Sequence, residues 1–337
     1  MANRFWVGDG GNWSDNTNHW AASTGGAPNE TKPTSSDNVY FDANSFSSGS
    51  QTVTINEVAS CLDMDWSNVT NTPTLAGGSN IVIHGSLTFV SGMTVTKTGQ
   101  IRFEGTVATS KTCTTGGLDL TSCTHFLFEF INGDMTLQDA VTCSIFYFSR
   151  GVLDLNGQTI TCTRWFMTAA TSKTLTAGAA IINITAVGLE DDATVGTFDY
   201  GTSTIKIIET DHFKGNGRIY NNVELNGTAH TISGSNTFTS LKIGRAAAVT
   251  ITGTAGTTQT VRHFFATNNA NVLTMVSTGA AWTLTGNSGY CELDYTDLTN
   301  VVAGYANIYY AGDNSTDGTG NTNWIFSRKV RLRRMRR

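Results

Sequence analysis

Short runs in which apolar and polar residues alternate, separated by Gly and Asn, recur along most of the chain. Examples are Thr52-Val53-Thr54-Ile55, Ile81-Val82-Ile83-His84, Ser86-Leu87-Thr88-Phe89-Val90, Met93-Thr94-Val95-Thr96, Val249-Thr250-Ile251-Thr252 and Trp282-Thr283-Leu284-Thr285. A period of two sends successive side chains to opposite faces of a pleated strand, so each run predicts a strand with one face in a core and one in solvent. No stretch of ten residues carries a convincing helical period.

The runs also echo one another. Phe126-Leu127-Phe128-Glu129-Phe130 is followed by Ile145-Phe146-Tyr147-Phe148 and then by Trp165-Phe166-Met167. Tyr220-Asn221-Asn222-Val223-Glu224-Leu225 returns as Phe238-Thr239-Ser240-Leu241-Lys242-Ile243. Self-similarity at a period of about 20 residues is the mark of stacked units, none of which can bury its apolar face without the next. The predicted fold class is therefore all-β: a right-handed parallel β-solenoid (β-helix) with an aromatic N-terminal cap. A tandem β-sandwich is the alternative, since it too has short, regularly spaced strands. Asn132-Gly133, Asn156-Gly157, Asn216-Gly217 and Asn226-Gly227 suit hairpin turns as well as solenoid corners.

The expected organisation is a cap over residues 1–45, a solenoid over 46–326 and a basic tail over 327–337. The solenoid would hold about fourteen coils at that repeat length. Strands are hardest to place near 188–202, where Glu190-Asp191-Asp192 is the acidic run, so an extruded loop or an interruption is expected there.

Composition narrows the class further. Charged residues are 14% of the 337, against roughly 25% in ordinary globular chains, and there are 35 glycines. Small polar residues therefore cover the surface. A hydrophobic content of 39% in alternating runs is enough to fill a core, which argues against disorder. The first residues lack a basic-then-apolar leader, and no apolar run is long enough to span a membrane, so no membrane partner and no export through a signal peptide are expected. Cys61, Cys113, Cys123, Cys143, Cys162 and Cys291 stand singly, without ligand spacing. Buried free thiols in a reducing compartment are the expectation, with a disulfide framework, in which Cys113 and Cys123 could meet, the lesser alternative and a metal site the least.

The first forty residues differ from the rest. Trp6, Gly8, Gly10, Trp13 and Ser14 read W-x-G-x-G-x-x-W-S; Trp20 follows, and Pro33, Asp37, Val39 and Phe41 read P-x-x-x-D-x-V-x-F. This opening resembles that of many bacterial surface proteins with autotransporter-type β-strand repeats, and of related phage virion proteins. The likeness is close over 5–42 and one of style beyond. It implies a cap and first coils carried by Trp6, Gly8, Trp13, Ser14, Trp20, Asp37, Val39 and Phe41. An open solenoid end exposes unpaired strand backbone and apolar core, which Trp6, Trp13, Trp20 and Phe41 would cover. A sugar-stacking platform of the three tryptophans is the competing role.

Catalytic motifs are missing: there is no GxSxG, HExxH or phosphate loop. Asp63 with Asp65, and Glu190 with Asp191 and Asp192, are the acid groups worth weighing for glycan cleavage or cation binding, against a solvated strand face and a solvated loop. The six histidines are dispersed. The expectation is a protein that is not an enzyme and has no cofactor or metal.

The tail is charge-extreme. Arg328, Lys329, Arg331, Arg333, Arg334, Arg336 and Arg337 are seven of the 21 Lys and Arg, and none of the 26 acids lies among them; the rest carries 14 bases against 26 acids, a balance of −12. These seven are the candidate partner-binding residues, for an acidic virion protein ahead of a merely solvated, solubilising tail and of nucleic acid. The functional expectation is a structural protein of a tailed-phage virion, a fibre, spike or surface appendage assembled in the host cytoplasm, with host-surface glycan and a second copy of the chain as further partners. A secreted bacterial β-helix adhesin at the cell surface is the alternative, and a polysaccharide-degrading β-helix enzyme ranks below it.

Overall fold

The computed structural model describes residues 1–105, 109–168, 171–267, 270–286, 290–304 and 308–326. Among them nearly all regular structure is strand, wound into a parallel β-solenoid of about 12 turns. The helix Asn16–His19 is a single turn, capped by the Asp15 carboxylate, which accepts from the Thr17 and Asn18 amides. Two compact units divide the chain: Met1–Ala180 with Ala193–Phe198, and Ile181–Asp192 with Asp199–Arg337.

In the first unit the strands pair in parallel from coil to coil, except that Trp20–Ala21 folds back antiparallel onto Asn3–Trp6. One stack runs through Ala59–Cys61, Ile81–Ile83, Ile101–Phe103 and Asp119–Leu137 to Val141–Asp154 and Thr159–Met167. Its inward positions are in register: Ala59, Ile81, Ile101, Phe126, Phe146 and Trp165 form one buried row. Phe128, Phe148 and Met167 belong to the next row, so the aromatic echo in the sequence is a physical stack of coils. Phe146 lies flat on Trp165 with ring centroids 4.6 Å apart. A second stack runs through Asn3–Trp6, Asn38–Tyr40, Met64–Asp65, Leu87–Thr88 and Ser110–Thr114. A third runs through Gly11–Asn12, Thr52–Thr54, Thr74–Ala76 and Thr94–Val95.

The second unit repeats the plan. Ile181–Asp191, Thr204–Ile207, Ile219–Leu225, Thr237–Ile243 and Thr258–Ala266 pair in parallel. Asp211–Lys214, Ala229–Ser233, Val249–Gly253 and Leu273–Ser277 do the same on another side. Tyr220 is in register with Phe238, and Leu225 with Ile243, as the second echo predicts.

Parallel pairing between successive coils excludes the sandwich, in which neighbours join through hairpins. Asn156-Gly157 and Asn216-Gly217 do have the left-handed backbone of tight turns, with φ of 51° and 68°, and of 52° and 74°. They turn coil corners instead. Coils are also less uniform than the echo suggests: Asn222 bonds Thr204 across a coil of 18 residues, and His125 bonds Gln100 across one of 25. Longer coils account for about 12 turns where about fourteen were expected.

The acidic run is not a solvated loop. Glu190 and Asp191 end the strand Ile181–Asp191, and Asp191 is fully buried, its Oδ2 2.9 Å from Arg218 Nε. Glu190 lies 3.1 Å from His212, and Asp192 pairs with Lys214.

Candidate binding surface

The cap residues form a buried aromatic lid. Trp6, Trp13, Trp20 and Phe41 are all essentially inaccessible. Trp20 meets Trp6 and Trp13 edge to face at 5.1 and 4.7 Å, and Phe41 stacks on Trp66 at 3.5 Å. Two of the three indole N–H groups are satisfied internally: Trp6 donates to Asp9 O at 2.7 Å and Trp20 to Trp13 O at 2.9 Å. Rings enclosed in this way offer no face to a sugar, so the stacking-platform role does not hold for the three tryptophans.

The motif's other residues have packing reasons. Gly8 has φ of +76°, and a Cβ there would sit 2.6 Å from Asn18 O. At Gly10 a Cβ would lie 3.0 Å from Gln51 Oε1 and from the Thr52 backbone; at the neighbouring Gly11, outside the motif, it would overlap the His19 ring at 1.9 Å, that imidazole lying flat on Trp6 at 4.5 Å. The Asp37 carboxylate accepts from the Ala2 amide at 2.8 Å and from the Thr34 hydroxyl at 2.7 Å, tying the first strand to the coil. Burial pushes Asp37 up, yet these bonds hold it below the usual carboxylate range. Ser14 exchanges bonds with Asn56.

Outside the cap, the richest surface lies on the outward face of the strands that carry the aromatic core. Alternation that sends Phe126, Phe146 and Trp165 inward sends their neighbours outward. Arg102, Leu127, Tyr147 and Phe166 form one outward row in register, with Leu127 itself buried and Tyr147 and Phe166 half-buried, and His125, Ile145 and Arg164 form another. Tyr147 packs against Phe166 at 4.8 Å, and the Arg164 guanidinium lies 4.3 Å from the Phe166 centroid. Glu129 bridges two arginines, at 2.7 Å from Arg102 and 3.3 Å from Arg150, while Arg102 also reaches Glu104 at 2.5 Å. Burial lowers the His125 pKa and the nearby Arg164 lowers it further, so this ring is neutral at neutral pH. Burial raises the Tyr147 hydroxyl, with Glu129 adding to the shift. The patch can stack on flat or C–H-rich ligands and exchange hydrogen bonds with them. Sequence reasoning noticed its repeat but not its outward face; alternate positions of the echo, Leu127, Tyr147 and Phe166, were the available signal.

The remaining candidates are dispersed. Asp63 Oδ1 accepts from the Ser86 amide and Asp65 Oδ1 from the Ser67 amide, both at 2.7 Å, so each holds a coil turn. All six cysteines are buried and free; Cys143 and Cys162 stand in register on adjacent coils, and burial pushes the Cys162 thiol up to about 12. Among the described residues no group of three or more His, Cys, Asp or Glu is placed to hold a metal ion, and no helix is long and apolar enough to cross a membrane. The basic run Arg328, Lys329, Arg331, Arg333, Arg334, Arg336 and Arg337 lies outside the described residues. Comparison with protein-family models, curated proteins and solved structures finds no match to the chain.

Proposed function

We propose that the chain is a structural protein of a tailed-bacteriophage virion, a fibre, spike or surface appendage that binds a host-surface glycan through its solenoid side and catalyses nothing. The observation that supports this reading is the W-x-G-x-G-x-x-W-S opening, which resembles that of virion and surface proteins and whose Trp6 and Trp13 are buried with Trp20 and Phe41. The acids support a non-catalytic role. Asp63 and Asp65 hold turns, and Glu190, Asp191 and Asp192 each face a basic side chain, so the groups weighed for cleavage already serve the fold. Buried thiols suit folding in a reducing cytoplasm, where virions assemble.

Mass spectrometry of purified virions is the direct test, and the chain should appear at a fixed copy number. Detection on a phage-free bacterial surface behind a cleaved leader would make it a secreted adhesin instead. New reducing ends after incubation with host capsule would make it an enzyme. On the binding side, Tyr147→Ala with Phe166→Ala should weaken adsorption to the host by about tenfold, the factor for losing roughly one aromatic contact.

A further inference from the structure

A cleft of about 310 Å³ opens at the capped end of the first unit, lined by Phe5, Tyr40, Asp42, Asn44, Asp65 and Asn68 among others. Strand register explains why it exists. Phe5, Tyr40 and Asp65 occupy one outward row on three successive strands. Phe5 and Tyr40 stack at 4.9 Å and 20°. A third ring would continue the stack, but the next position holds the short side chain of Asp65, and the space left beside Tyr40 is the cleft. Both aromatic residues are half-buried, unlike the enclosed tryptophans behind them.

Polar groups line the space beside this aromatic wall. Asp65 Oδ1 accepts from the Ser67 amide at 2.7 Å and Asp42 Oδ1 from the Asn44 amide at 2.8 Å, which fixes both carboxylates. Among the described residues, Oδ2 of each has no hydrogen-bond partner within the protein. The Asn44 amide is oriented by its bond to Thr24 Oγ1 at 3.0 Å. Among the described residues no lysine, arginine or histidine lines the cleft.

We infer that this cleft binds one neutral pyranose residue. An aromatic wall takes the C–H face of a sugar ring, carboxylate oxygens accept from its hydroxyls, and side-chain amides both donate and accept. The volume sits at the small end of the roughly 300–1,000 Å³ of small-molecule sites, which suits a single ring. Two carboxylates without a lining cation disfavour phosphorylated, sulfated or carboxylated sugars. The inference rests on the reading of the chain as a non-catalytic binding protein and gives that role a second, defined site.

The test titrates the full chain with methyl glycosides of glucose, galactose, mannose and N-acetylglucosamine, and with methyl glucuronoside as the anionic comparison. The readout is the ring-proton NMR signals of Phe5 and Tyr40, which needs no variant. At least one neutral glycoside should shift both rings and saturate, and glucuronoside should bind more weakly. Asp65→Asn and Tyr40→Ala should each weaken binding, the latter by about tenfold, while Tyr40→Phe keeps the stacking contact and stays near the parent. Should Tyr40→Ala loosen the cap, Asn68→Ala at an exposed position serves in its place. Absence of shifts with every neutral glycoside, or glucuronoside binding as tightly as they do, overturns the proposal. Virion mass spectrometry is unaffected by either result, so failure here and failure of the virion reading are told apart.

Discussion

Lys97, Lys111, Lys173 and Arg245 carry basic groups into the interior, each no more than 3% exposed. All four donate to backbone carbonyls at coil turns: Lys97 to Gly99 and Gln100 at 2.6 and 3.1 Å, Lys111 to Thr109 at 2.8 Å, Lys173 to Thr168 and Thr171 at 2.8 and 3.0 Å, and Arg245 to Thr267, Asn271 and Asp294 at 2.9 to 3.1 Å. A solenoid corner leaves carbonyls that no neighbouring strand takes, and a buried cation satisfies several at once. The arrangement costs desolvation: burial pushes Lys97 down to about 8 from 10.5. The folded-state value lies below the unfolded one, so between these two pH values the unfolded chain binds more protons and this group makes stability rise with pH. The stability of the parent relative to Lys97→Met should therefore grow from pH 8 to 10.5 in paired urea melts. A difference that stays flat or shrinks across that window would show that the amine is not desolvated.

At the scale of the strand and coil, packing between neighbours decides what each position tolerates. Gly253 ends the strand Val249–Gly253 in register with Ile232, yet has no side chain of its own. Trp282 fills the place: a Cβ on Gly253 would lie 2.3 Å from its indole ring. The buried Trp282 cannot give way without leaving its row, so Gly253→Val should destabilise the fold by about 1–3 kcal/mol through overpacking. Gly92→Ala, where a Cβ meets nothing within 4 Å, should stay within about 0.5 kcal/mol of the parent in the same denaturant series. Equal losses at the two glycines would mean that backbone freedom, rather than the Trp282 ring, governs position 253.

At the scale of the whole molecule, charge is distributed unevenly along the chain. The 14 bases and 26 acids outside residues 327–337 leave a balance of −12, against seven bases within that segment. We propose the segment as an anchor to an acidic virion protein, since an acidic body repels nucleic acid. Exposed basic groups contribute at most about 1 kcal/mol each, so no single one decides and the seven act together. Deleting 328–337 should leave the β-sheet circular dichroism and the thermal transition nearly unchanged while abolishing incorporation into virions. Incorporation at the parent copy number would overturn the anchor. If nucleic acid is the partner, affinity should fall steeply with salt, with a log–log slope of about −0.7 to −0.9 per phosphate neutralised.

Local alternation and the echo at near-constant spacing determined the strand class and the stacking, because both depend only on which side chains must leave water. Phe126, Phe146 and Trp165 align in register as their spacing predicts. The buried role of Trp6, Trp13, Trp20 and Phe41 was legible for the same reason. Register elsewhere was not legible, because the step between paired strands varies, from 15 residues at Tyr309 and Trp324 to 26 at Leu87 and Cys113, and corners absorb the difference. The sequence therefore could not say that Phe5, Tyr40 and Asp65 share one row, that Tyr147 and Phe166 meet on the outside, or that Asp191 is buried against Arg218. Those adjacencies join residues many positions apart, and only the closing of each coil onto the next decides them.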